Sequence, residues 1–154
     1  MIERCTSIEH PGWIELRREL WPDCGASEHL TEMTATCSSP DRLSAFVATD
    51  GSARPVGFVE VSLRTDYVNG TNSSPVGFIE GIYVVPNARQ RGVARALIRS
   101  AETWARTSGC CEMASDARLE NQTSHAFHRA VGFVETQRVV YFRKDLAVNE
   151  RHDV

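Results

Sequence analysis

The spacing of apolar residues changes period several times along the chain, and each change predicts an element. Residues Ile2 to Ile8 read as an opening strand, and behind Pro11 the residues Trp13, Leu16, Leu20 and Trp21 recur at helical spacing. A second, short helix follows Ser27, with Leu30 and Met33 on one face. Period two then takes over. "LSAFVAT" ends at the hairpin signal Asp50-Gly51, "PVGFVEVSLRTDYV" alternates up to the polar loop "NGTNSSP", and "VGFIEGIYVV" from Val76 to Val85 makes a third strand. The helical period returns in Val93, Leu97, Ile98, Ala101, Trp104 and Ala105. A short strand "CEMASD", a helix from about Thr123 to Val131 stopped by Gly132, and a closing strand pair through "ETQRVVYFRKDL" finish the pattern. The expected fold is mixed α/β (α+β), an antiparallel meander feeding a strand, loop, helix unit.

At 154 residues, 42% hydrophobic and 24% charged, the chain is long enough for one well-buried core. One domain over residues 1–148 with a flexible polar end at 149–154 is expected. The formal net charge of -3 gives no pull toward nucleic acid. "MIERCTSIEH" carries charges where a secretion signal needs apolar residues, and no run approaches the roughly 18 apolar residues of a membrane span. A soluble, cytoplasmic protein follows, with no membrane partner. Cys5, Cys24, Cys37, Cys110 and Cys111 contain no CxxC pair and read as reduced thiols. His125 and His128 are spaced to share a face, but no third ligand stands near them, so no metal is expected. The N-x-S/T triplets at Asn69, Asn72 and Asn121 carry no weight without a secretion signal.

The segment "VVPNARQRGVARAL" carries the first chemical signal. A helix that starts directly after a strand leaves its first N–H groups unpaired and its positive dipole end exposed, which together attract an anion. Gly92 keeps no side chain between a ligand and the backbone, Ala94 is nearly as small, and Arg89 and Arg91 add charge at the rim. A phosphate or pyrophosphate fits such a place. The alternative is a surface loop capped by arginines. Neither GxxxxGK[ST] nor GxGxxG is present, so neither standard phosphate loop applies.

"RQRGVA" resembles the (R/Q)xxGx(G/A) loop of the GCN5-related N-acetyltransferase (GNAT) superfamily, and "NQTSHAFHRAVGF" is similar to that family's later helix, which ends in Gly-Phe. The resemblance implies the GNAT fold, a central, mostly antiparallel sheet flanked by helices, with acetyl-coenzyme A as cosubstrate. It implies that the loop residues Gln90, Arg91, Gly92, Val93 and Ala94 bind the pyrophosphate, that Ile82, Tyr83 and Val84 pair with the pantetheine arm, and that Asn121 contacts the cofactor. "LWPD", "YVNGT", "SPVGFIEGIYV", "ASDARLENQTSHAFH", "GFVET" and "RVVYFRK" together resemble the type I aminoglycoside 6′-N-acetyltransferases over nearly the whole chain. That resemblance implies an aminoglycoside substrate met by Trp21, Tyr67, Glu80, Asp116 and Glu135, and a homodimer.

Acetyl transfer from a thioester to an amine needs a neutral amine, a polarised carbonyl and a leaving thiolate. Glu80 in the strand leading to the thioester is the first candidate base and Asp116 the second, with plain anchoring of a polycation as the other role open to both. A carboxylate set among the apolar residues of "GFIEGIYVV" is costly to bury without a partner, which favours function for Glu80; Asp116 could instead cap the following loop or helix. Trp21 could close the core, and Tyr67 could be an edge aromatic. A backbone N–H near Val84 suits the carbonyl. Where many members of the superfamily carry an acid tyrosine, four residues before the Gly of Gly-Phe, His128 stands. The proton for the thiolate then comes from His128, from Tyr141, or from no dedicated acid, which a thiol pKa near roughly 8.5 tolerates. Cys24 replaces an expected histidine and Gln137 an expected glutamate. Other amines, such as a polyamine or a protein N-terminus, and a non-catalytic acetyl-coenzyme A-binding module are the competing functions.

Overall fold

Period-two alternation alone would put Ile79 and Ile82 on opposite faces of their strand, yet both pack into the same apolar cluster. The computed structural model, which describes residues 1–146, resolves the conflict with a β-bulge. Strands β3 (Pro55–Arg64) and β4 (Val76–Val84) run antiparallel, with Val61 opposite Ile79 and Glu60 opposite Gly81, so Glu80 is the extra residue. The remaining strands are β1 (Ile2–Arg4), β2 (Leu43–Thr49) and β5 (Glu112–Ser115), ordered β1-β2-β3-β4-β5. Only the β4–β5 pair is parallel. Between them the chain crosses over through α3 (Val93–Thr107), as a parallel pair requires.

Helices cover both faces. Leu97, Ile98 and Ala101 of α3 pack on Val59, Val61 and Ile79, with Phe127 and Val131 from the region of α4 (Gln122–Ala130) against the same cluster. On the other face Trp13 and Leu16 of α1 (Trp13–Leu20) and Met33 of α2 (Ala26–Ser38) meet Ala45, Val47 and Phe58. The mixed fold with helices flanking a mostly antiparallel sheet is the one expected, and the α3 stripe is the one read from the sequence.

Several expectations are corrected. Helix α2 is 13 residues long rather than short, and its inward positions are His29 and Met33; Leu30 is 46% exposed. His29 is drawn inward because Arg17 Nε donates to its Nδ1 at 3.2 Å. The opening strand stops at Arg4. In the β2–β3 connection the left-handed residue is Ala53 at φ 60°, while Asp50 Oδ1 accepts from the N–H groups of Ser52 and Arg54. The expected closing strand pair does not form: residues 133–146 carry no strand, and Val140, Tyr141 and Phe142 are 78%, 82% and 93% exposed. An extended segment needs a partner edge for its backbone, and this one has none among the described strands of its own chain. The polar end expected at 149–154 lies outside the described residues.

Candidate active site

The bulge at Glu80 marks the point where the sheet opens. Pairing between β4 and β5 runs from Val76–Glu112 to Ile79–Ser115 and stops, while β4 continues to Val84. Residues Glu80 to Val84 keep β3 on one side and have no described strand on the other. Their backbone N–H and C=O groups on that side face a gap about 13 Å long at roughly 3.3 Å per residue. Ile82, Tyr83 and Val84 therefore line it.

At its far end stands the N-terminus of α3. Its N-cap residue is Gly92 at φ 81°, no side chain caps it, and a Cβ built on Gly92 would stand in open space. Gln90 also takes a left-handed conformation, φ 60°. The first N–H groups of the helix, at Val93 and Ala94, are thus free to receive an anion. Arg91 is exposed at this rim. Arg89 is spent differently: its Nε donates to the Val84 carbonyl at 2.8 Å and its guanidinium lies 5.7 Å from the Tyr83 ring, so it braces the loop. Asn121 caps α4, its Oδ1 accepting from Ser124 N–H at 3.0 Å, which leaves its amide N–H₂ free.

Glu80 and Gly81 face α1 and α2. Glu80 is not held among apolar residues, as its sequence neighbours suggested; its side chain is 37% exposed. Ser62 Oγ donates to its Oε1 at 2.5 Å and Arg64 Nη2 at 2.9 Å. Arg64 in turn lies 3.4 Å over the Phe78 ring. The bulge accounts for this, since it carries Glu80 onto the side of the polar Ser62–Arg64 end of β3.

On that side opens a cavity of about 640 Å³ lined by Trp21, Asp23, Cys24, Glu28, Glu32, Glu60, Glu80 and Arg118, among others. A larger cleft, about 740 Å³, lies beside Glu15, Glu19, Tyr83 and Pro86 and does not reach Glu80. The acid-lined cavity thus contains the expected Trp21 and Glu80, but its other carboxylates come from α2, the turn before it and β3. No spacing rule linked these segments to the site. Asp116 directly follows β5 and is exposed; no helix begins there for it to cap. Tyr67 lies past the end of β3 rather than in it and is 75% exposed. Glu135 is also outside the cavity lining and is paired with Arg138 at 2.5 Å, which holds its carboxyl below the usual range. Tyr141, one candidate acid, belongs to the exposed segment.

Beneath the cavity lies a charged network that sequence reasoning missed. Arg17, 1% exposed, donates through Nη1 to both oxygens of Glu60 at 2.5 Å, through Nη2 to Glu32, and stacks 4.7 Å from the Trp21 ring. Trp13 Nε1 donates to Glu60 at 2.8 Å. Burial pushes the Glu60 carboxyl up, and Arg17 and Trp13 pull against that shift. Arg17 sits one position past Leu16 on α1, so a helical stripe reads it as the polar edge of the buried face; the partners that β3 and α2 present, Glu60 above all, explain its burial.

Trp21 is half-buried, edge-on to Phe58 at 5.8 Å, so it closes the core and borders the cavity at once. It can lie there because Gly81 has no side chain: a Cβ would fall 2.4 Å from the indole. Gly81→Ala is expected to displace the ring and cost about 1–3 kcal/mol, read as a lower urea midpoint with altered tryptophan fluorescence; an unchanged midpoint would contradict this packing.

All five cysteines are free thiols. Among the described residues no group of three or more His, Cys, Asp and Glu is placed to hold a metal, and no helix is long and apolar enough to cross a membrane.

An open strand edge, an uncapped helix start after it and an acid-lined cavity beside it coincide with clear similarities. Residues 11–133 match the model of the acetyltransferase (GNAT) family. The aminoglycoside N(6′)-acetyltransferase type 1 of Stenotrophomonas maltophilia is 48% identical over 94% of this chain and 93% of the relative, and that of Acinetobacter haemolyticus is 51% identical over 87% and 90%. The solved structure of AAC(6′)-Iy with a bisubstrate analogue, CoA-S-monomethyl-acetylneamine, superimposes with a TM-score of 0.88 at 43% identity, covering 95% of this chain and 98% of the other. The chain belongs to the acetyltransferase (GNAT) family and, within it, to the branch of the type 1 aminoglycoside N(6′)-acetyltransferases.

Proposed function

We propose that the protein transfers the acetyl group of acetyl-coenzyme A to the 6′-amine of aminoglycosides by direct attack, a reaction that removes a positive charge from the drug and confers resistance. The observation that carries this reading is the unpaired stretch Glu80 to Val84, which joins an anion-binding helix start to a cavity lined by carboxylates. Two similarities support the choice of substrates: the curated relatives' names and the bisubstrate analogue bound by AAC(6′)-Iy.

The diphosphate of coenzyme A sits on the amides of Gln90 to Ala94, with Arg91 at the rim, and Asn121 reaches the cofactor from the start of α4. The pantetheine arm runs back along Ile82, Tyr83 and Val84 as a strand would, bringing the thioester beside Glu80. A backbone N–H near Val84 polarises the carbonyl. Glu80 takes the proton of the drug ammonium, with Asp116 as the second base. Arg64 holds the Glu80 carboxylate until a substrate cation replaces it. Trp21 covers a sugar face, Asp23, Glu28 and Glu32 attract the remaining ammonium groups, and Tyr67 and Glu135 contribute from the rim. Dependence on acetyl-coenzyme A places the activity in the cytoplasm.

The protein works as a homodimer. Val139, Val140, Tyr141 and Phe142 form an unbroken run of β-forming residues and are exposed, while β5 has a described neighbour only on its β4 side. A second copy supplies the edge that the arm lacks. Size and light scattering should give about twice 17.1 kDa, and Val140→Glu with Phe142→Glu should shift the protein to monomer; a dimer that persists in the double variant would reject the arm as the interface.

The functional test is release of free thiol from acetyl-coenzyme A with kanamycin or tobramycin, compared with a drug bearing a hydroxyl in place of the 6′-amine. Turnover with the first pair and none with the last is expected. Thiol release that ignores the 6′-amine rejects the regiochemistry, and release with a polyamine or a peptide N-terminus alone rejects the substrate class.

A further inference from the structure

The strand that ends the sheet ends on a serine in contact with a histidine. Ser115 Oγ and His128 Nε2 are 2.8 Å apart, and His128 Nδ1 lies 2.7 Å from the Ser124 carbonyl oxygen. A carbonyl only accepts, so Nδ1 carries hydrogen and Nε2 is the nitrogen left to exchange a proton with Ser115. Phe127 and Phe133 stand edge-on to the imidazole at 5.5 and 5.4 Å and fix its plane.

The place of this pair gives it meaning. Ser115 is opposite Ile79, the last β4 residue with a partner on that side, and Glu80 follows Ile79. Ser115 therefore closes the end of the gap where an acyl group carried along β4 must stop. Its hydroxyl points to the α4 side of the sheet, toward His128, whereas Glu80 and Trp21 are on the α1 and α2 side. An amine arriving from the cavity would meet the carbonyl carbon from one side and the sulfur would depart toward the other.

We propose that Ser115 gives the departing thiolate its proton and that His128 orients and recharges Ser115; this rests on the acetyl-transfer reading above. As the amine nitrogen bonds to the carbonyl carbon and the C–S bond breaks, its electron pair goes to sulfur. Ser115 Oγ–H passes to sulfur while the imidazolium Nε2–H passes to Oγ. His128 is left neutral, Nδ1–H still on the Ser124 carbonyl, and regains a proton from solvent. The amine gives up two protons in all and sulfur gains one, so one is released. The ionisable groups on the elements meeting at His128 are Glu112 and Asp116 on and after β5, His125 and Arg129 on α4, and Glu135 beyond Phe133; among the described residues none hydrogen-bonds the imidazole.

The test is the pH profile of kcat at saturating acetyl-coenzyme A and tobramycin for the wild type, Ser115→Ala, Ser115→Thr and His128→Gln. The wild type should lose rate on the alkaline side, where the relay has no proton left to pass to sulfur. Ser115→Ala should lower kcat about 10- to 100-fold with both KM values within about twofold, and its alkaline fall should vanish. His128→Gln should lose the same limb, and Ser115→Thr, which keeps a hydroxyl, should recover most of the rate. An Ala variant with wild-type kcat, or one slowed equally at every pH with the limb intact, overturns the relay. A wild type that releases no thiol overturns the functional reading itself, a result distinct from either.

Discussion

Replacing Glu80 by glutamine is expected to lower kcat/KM about 100-fold, roughly 2.7 kcal/mol of transition-state stabilisation. The amide keeps the shape and can still meet Ser62 and Arg64, so binding of acetyl-coenzyme A, measured by calorimetry, should not change. Where the loss falls separates the two roles open to this carboxylate. A base lost to glutamine lowers kcat, and the deficit shrinks as rising pH supplies free amine. An anchor lost to glutamine raises the KM for the drug and leaves kcat alone. Full turnover at every pH would remove Glu80 from the chemistry and leave Asp116 or solvent. Glu135→Gln should do much less: as a rim contact its carboxylate is engaged by Arg138 outside the cavity lining, so an effect of no more than a few fold, in the KM for the drug, is expected.

Glu60→Ala should be the most destabilising single change at the floor of the cavity, about 3–5 kcal/mol in urea unfolding, because it leaves the guanidinium of Arg17 buried without the partner that engages it through both oxygens. Trp13 Nε1–H loses its acceptor as well. For a domain of ordinary stability that is a large share of the total. The Arg17→Met, Glu60→Leu double variant removes both charges and should recover most of the loss, a coupling that a double-mutant cycle reads directly. A Glu60→Ala protein within about 0.5 kcal/mol of the parent would mean that the network contributes little. Since Arg17 lies under Trp21, the double variant should also loosen the indole and raise the KM for the drug more than that for acetyl-coenzyme A.

What the chain makes plain by itself is whatever depends on neighbours in sequence. The stripe Leu97, Ile98, Ala101 and Ala105 fixes α3 because residues three and four apart share a helix face. Gly92 ahead of it marks an open helix start because an uncapped N-terminus with no side chain is a local property. The tertiary structure alone decided what depends on distant partners. Asp23, Glu28, Glu32 and Glu60 join Glu80 only because α2 and β3 fold over one cavity. Arg17 is buried because β3 presents Glu60 to it, and Glu80 turns toward α1 because the register with β3 slips by one residue at that point. The segment through Val140 and Phe142 has a strand's composition and no strand, since β-forming residues favour extended backbone and only a partner edge satisfies its hydrogen bonds.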